Sequence, residues 1–141
     1  RASTVASTST LTFKRVKSVT ELGAEVRNAS AAGKPVMLDF YADWCVSCKE
    51  MERLTFTDVR VRKALADVVL LQADVTANNA DDQALLKRFG LFGPPGTVFF
   101  DTQGREVQAR VIGFERADTF LASLRRALGA SGAAQPAKAS T

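Results

Sequence analysis

The sequence predicts a single α/β domain with a central mixed β-sheet, helices on both faces, and an antiparallel hairpin plus helix at its end. Three observations predict it. Two nearly unbroken apolar runs, "VMLDFYA" (36–42) and "VVLLQADV" (68–75), read as strands buried on both faces. Helix-start signals come after each run, at Cys45, at Thr57 or Asp58, and at Asn79. Late in the chain, "TVFFD" (97–101) and "EVQARVI" (106–112) flank a turn at Gly104.

Taken in order, "LTFKRV" (11–16) is a short strand. Ser18 and Glu21 form an S-x-x-E capping box that opens a helix to about Ala31, and Gly33 and Pro35 punctuate the link to the next strand. After the first buried strand, a helix is expected from about Cys45 to Leu54 and another from near Asp58 to Ala66. The second buried strand leads to a helix capped by Asn79 and stopped at Gly90. The hairpin comes next, then an amphipathic helix over about 115–128, with Phe120, Leu121, Leu124 and Leu128 on its apolar side and Arg125 and Arg126 near its C-terminal dipole. Phe99, Phe100, Phe114 and Phe120 read as core. Residues 1–10 and 129–141 are small, polar and without periodicity, so they read as a linker and a tail around a body at 11–128.

Composition narrows the function. Hydrophobic residues make up 46% and charged residues 24%, as in ordinary globular chains. No apolar run is long enough to span a bilayer. The net charge of +4 is scattered rather than gathered in a stripe, which argues against nucleic-acid binding. There is no histidine, which excludes a Ser-His-Asp triad, a Cys-His pair and any histidine-based metal site. Two cysteines cannot complete a four-ligand zinc site, so no metal is expected. The chain begins without Met and without a signal-peptide pattern, and is expected to be a piece of a longer protein.

The chemistry centres on "YADWCVSCKE" (41–50), which holds both cysteines. Cys45 falls where a buried strand ends and a helix begins, and unpaired N–H groups and the helix dipole favour a thiolate there. Thiolate is the attacking species in disulfide exchange, and Cys48, one turn on, is placed to resolve the mixed disulfide. A structural staple is the alternative, but so small a loop removes little unfolded-state entropy. At about 100° per residue, Glu52 projects between the two cysteines in azimuth, while Glu50 and Arg53 point away. Glu52 either serves the pair or snorkels to water. Asp39 interrupts a strand that should be covered on both sides; such a carboxylate has a raised pKa and can exchange protons with a nearby dithiol, or it is simply hydrogen-bonded within the fold. "GPPG" (93–96) is a rigid turn. "GLFGPPG" lacks the phosphate-loop pattern, so nucleotide binding is not expected. Tyr41 and Trp44 flank the cysteines as packing or as partner surface.

Together these features resemble the thioredoxin superfamily: a strand, W-C-x-x-C at a helix start, a buried Asp before it and a proline-led strand later. More narrowly, "VMLDFYADWCVSCKEMERLTF", "LLQADVTANNADDQALLKRFGLFGPPGTVFFD" and "ARVIGF" are similar to the C-terminal periplasmic domains of the DsbD family. The resemblance covers essentially all of 11–128. It implies a thioredoxin fold and a protein-disulfide reductase that needs no cofactor beyond the Cys45–Cys48 disulfide. Cys45 is then the nucleophile, Cys48 the resolver, and Asp39 and Glu52 the acids that tune them. Pro95 matches a cis-proline beside the cysteines, with Pro94 and Gly96 next to it in a groove where a partner strand pairs.

The same resemblance implies the partners and the place. Electrons come from a membrane-embedded domain of the same protein and pass to its N-terminal periplasmic domain, on the periplasmic side of a bacterial inner membrane. The isolated domain is expected to be a monomer. There are departures from the pattern. Val46 and Ser47 stand where thioredoxin has Gly-Pro, Gly96 replaces a bulkier residue, and Pro94 removes a backbone donor. Two other functions are compatible with the residues: a free-standing periplasmic thioredoxin-like reductase of the cytochrome c maturation type, and a redox-inert binding module on the same scaffold.

Overall fold

The computed structural model describes residues 11–131. The expected linker at 1–10 and the end of the expected tail, 132–141, lie outside the described residues. Five strands form one sheet in the order β1-β3-β2-β4-β5. They are β1 (Lys14–Arg15), β2 (Val36–Tyr41), β3 (Val69–Asp74), β4 (Gly96–Phe100) and β5 (Val111–Ile112). The first three pair in parallel, and β4 and β5 run antiparallel to their neighbours. The helices are α1 (Val19–Ala31), α2 (Val46–Glu50), α3 (Val59–Ala64), α4 (Ala80–Arg88) and α5 (Ala117–Ser131), with a π-turn (Met51–Thr55) continuing α2.

Side-chain alternation along the central strands divides the core in two. Leu38, Phe40, Leu71, Ala73 and Val98 pack with Leu22 and Val26 of α1 and Leu85 and Leu86 of α4. On the other side, Met37 and Phe99 meet Met51, Phe56, Val61, and Phe120 and Leu124 of α5. All six residues of β2 are buried, as expected for a strand covered on both faces.

The signals for element ends hold in most places. Ser18 Oγ accepts from Glu21 N, but Glu21 reaches back to the Lys17 N–H rather than closing a box on Ser18. Asp58, not Thr57, caps α3, which stops at Ala64 rather than Ala66. Asn79 and Asp82 close a full capping box on α4, and Gly90 ends that helix with φ of 67°.

Five further expectations need correction. The strand at 11–16 is reduced to two residues, because only Lys14 and Arg15 find partners on β3. The hairpin's second arm is also two residues long: apart from a single bridge between Glu106 and Phe100, pairing begins at Val111. The helix expected through Leu54 is α-helical only to Glu50. It then widens, with Phe56 N–H donating to the Met51 carbonyl at 2.8 Å. An i→i+5 turn puts residues five apart on one side, so Met51 and Phe56 both enter the core. The last helix runs to Ser131 rather than 128, into the expected tail, which leaves Arg125 and Arg126 short of its end. Finally, Phe114 is exposed rather than core.

Candidate redox site

The site is assembled where β2 ends. Cys45 is the N-cap of α2, in extended conformation, and its sulfur accepts the Cys48 N–H at 3.1 Å. The two cysteines are joined in a disulfide, with their Cα atoms 5.2 Å apart. Cys48 Sγ also lies 3.8 Å from the Phe40 carbonyl oxygen. Both residues are buried, Cys45 slightly less so, at 6% exposure against 3%.

Asp39 lies on β2 two residues from Met37 and so on the same side of the sheet, the side that Met51 of the π-turn helps to cover. It is not a lone carboxylate: Gln72 Nε2 donates to its Oδ2 at 2.9 Å. Burial pushes its pKa from 3.8 to about 7; the Gln72 hydrogen bond and the Arg15 charge pull downward, and the Glu52 charge pushes further up. Glu52, on the π-turn, is half-buried and its charge bears on Asp39. Of its neighbours, Arg53 is exposed and Glu50 is only half so.

The flanking aromatics separate into two roles. Trp44 is 60% exposed, with its indole N–H donating to the Thr76 carbonyl at 3.1 Å. Tyr41, expected beside it as a partner-surface candidate, is buried. Its hydroxyl accepts from Lys49 Nζ at 2.6 Å and donates to Asp43 Oδ1 at 3.0 Å. Tyr41 therefore ties α2 to the turn before it, while Trp44 lies at the surface.

The Pro94–Pro95 peptide is cis. Pro94 and Pro95 are half-buried and Gly96 is buried at the start of β4. A Cβ on Gly96 would stand 3.2 Å from Leu91 Cδ1, so the small residue keeps this turn narrow. β5 closes the edge, with Gly113 N–H donating to the Pro95 carbonyl at 3.2 Å.

Four residues escaped the sequence reading. Arg15 and Gln72 form the polar support of Asp39, and Thr76 fixes both Asp43 and Trp44. Phe92 stands fully exposed ahead of the cis-proline turn. Gln72 did leave a signal, because it interrupts its apolar run as Asp39 interrupts the other. Among the described residues no group of three or more Cys, Asp or Glu side chains could hold a metal ion, and no helix is long and apolar enough to cross a membrane.

Comparison with known proteins agrees with this geometry. The thioredoxin-like domain family matches residues 22–128. The crystal structure of the Neisseria meningitidis DsbD C-terminal domain in the oxidised form superposes with a TM-score of 0.70 and 38% identity, covering 82% of this chain and 99% of that one. The chain belongs to the thioredoxin-like family, among the DsbD C-terminal domains. The thiol:disulfide interchange protein DsbD of Ralstonia nicotianae is 78% identical over 117 residues, 83% of this chain and 19% of that protein. DsbD of Escherichia coli K12 is 59% identical over 116 residues, 82% of this chain and 20% of its own length. The chain thus spans about a fifth of the curated DsbD proteins it matches.

Proposed function

We propose that this DsbD-type domain is a protein-disulfide reductase that relays electrons by dithiol–disulfide exchange. One observation carries the proposal: a buried Cys45–Cys48 disulfide whose first sulfur caps a helix and accepts its N–H. In the reduced domain, the Cys45 thiolate attacks one sulfur of a partner disulfide, forming a mixed disulfide and expelling the partner's other sulfur as thiolate. Cys48, once deprotonated, attacks Cys45 Sγ and releases the partner's second thiolate. Two electrons pass to the partner and the domain's own disulfide is restored. Asp39 and Glu52 set the proton balance of the pair. Trp44, Pro94 and Pro95 form the contact surface, with Gly96 keeping its turn narrow and Tyr41 supporting it from beneath. No cofactor beyond the disulfide takes part.

The donor is the membrane-embedded domain of the same DsbD-like protein and the acceptor is its N-terminal periplasmic domain, on the periplasmic side of the inner membrane. The domain itself is monomeric. The similarity to full-length thiol:disulfide interchange proteins supports this placement. The deciding experiment equilibrates the domain in dithiothreitol or glutathione buffers at pH 7 and reads the potential of the couple. A value of roughly −200 mV or lower supports a donor; one near −120 mV, the range of a strong oxidant, overturns the relay.

A further inference from the structure

Arg15, Gln72 and Asp39 occupy one rung of the sheet. Arg15 on β1 pairs in register with Gln72 on β3, and Gln72 pairs with Asp39 on β2. Their side chains repeat the order: Arg15 Nε donates to Gln72 Oε1 at 2.7 Å, and Gln72 Nε2 donates to Asp39 Oδ2 at 2.9 Å. A carboxamide has a donor end and an acceptor end, whereas a guanidinium only donates. Arg15 can therefore satisfy only the oxygen of Gln72, which leaves the NH₂ end facing Asp39. Without Arg15 the amide is free to turn over, and its oxygen would then face a protonated Asp39 favourably and an ionised one unfavourably.

Arg15 is itself fixed at several points. Its Nη1 donates to Asp74 Oδ2 at 2.8 Å, and its guanidinium lies 5.7 Å from the centre of the Tyr41 ring. Asp74 accepts from the Thr76 N–H and from the Thr76 hydroxyl. Thr76 in turn accepts the Asp43 N–H on its hydroxyl and the Trp44 indole N–H on its carbonyl. The arginine thus links the buried acid to the turn that delivers Cys45.

We infer that Arg15 is a positioning residue for the dithiol, holding the Gln72 amide donor-first against Asp39 and so governing the protonation of that acid. The inference rests on the dithiol being the reacting centre. The groups that bear on Asp39 are Gln72 on β3, Arg15 on β1 and Glu52 on the π-turn. Both Gln72 and Arg15 favour the ionised form, so loss of the arginine raises the acid's titration midpoint.

The test tracks the Asp39 carboxyl carbon by NMR across a pH titration of the oxidised chain, in Arg15→Met, Arg15→Lys, Gln72→Met and the double variant. Arg15→Met is expected to raise the midpoint by about one pH unit, a tenfold change in proton affinity. Arg15→Lys keeps the charge but not the fork, and is expected to restore less than half of that shift. In the Gln72→Met background, replacing Arg15 is expected to shift the midpoint by less than half as much, because its route through the amide is gone. An unchanged midpoint in Arg15→Met, or an equal shift with and without Gln72, overturns the inference. If Arg15→Met does not fold, an unchanged midpoint in Arg15→Lys overturns it and a raised one supports it. No thiol titrates in the oxidised state, so failure here leaves exchange by Cys45 untouched. Conversely, a Cys45 that does not exchange leaves this titration readable.

Discussion

The Cys48 N–H points at Cys45 Sγ from 3.1 Å, while Cys48 Sγ sits 3.8 Å from the Phe40 carbonyl. On reduction the first sulfur meets a donor and the second an acceptor. A donor favours thiolate and an acceptor favours thiol, so the two sulfurs stand in unlike surroundings before any partner arrives.

That asymmetry gives the proposed roles of the sulfurs a direct test. Cys48→Ser should keep the nucleophile and accumulate a mixed disulfide with a disulfide-bonded partner or a dithionitrobenzoate probe. Cys45→Ser should accumulate almost none. Mass spectrometry of the trapped adducts reads both, and stronger trapping by Cys45→Ser would reverse the assignment.

The proposed function has Asp39 and Glu52 bear on the thiols through charge. An ionised carboxylate nearby disfavours thiolate, so Asp39→Asn and Glu52→Gln should each move the pH profile of Cys45 alkylation to lower pH. Asp39→Asn should move it further, since Asp39 is the more deeply buried of the two. Iodoacetamide rates between pH 5 and 10 are the measurement, and a profile that neither variant moves removes both acids from proton handling.

Asp39 also opposes folding at high pH. Its folded-state pKa of about 7 stands above its ordinary 3.8. Between those values the folded chain holds more protons than the unfolded one, so this group's contribution to stability falls as pH rises and the full cost is present above pH 7. Asp39→Asn should therefore stabilise the domain at pH 8 by up to about 4 kcal/mol, with this gain vanishing near pH 4. Urea unfolding of both proteins at the two pH values checks it; a gain of equal size at both would be unrelated to titration.

Phe56 enters the core because of the π-turn, where it meets the Phe13 ring at a centroid distance of 5.6 Å and the Phe120 ring at 5.7 Å. Phe56→Ala should cost about 3–5 kcal/mol, read as a fall in the urea midpoint. A loss below about 1 kcal/mol would mean that the turn does not serve packing.

Much of this was legible in the chain because strong local signals agreed with the fold. The run around Leu38 is a fully buried strand and that around Leu71 a strand buried at Leu71–Ala73, Asn79 caps its helix, and Cys45 begins one. What escaped depends on pairing between distant segments. Arg15 and Gln72 are 57 positions apart and meet only through strand register. The π-turn answers to Glu115, whose N–H donates to Met51 Sδ and whose carbonyl accepts from the Thr55 hydroxyl, contacts that no helical period encodes. Phe114 and Phe92 are apolar by type but exposed by place, and Tyr41 and Trp44 look alike in sequence until the sheet buries one and not the other.

The two outer strands, β1 and β5, are each only two residues long. A long bare edge invites strands from other molecules to add on, and short edges blunt that tendency; on β1 the two residues are also both cationic. Self-association through the rims of the sheet is thereby discouraged even at high local concentration.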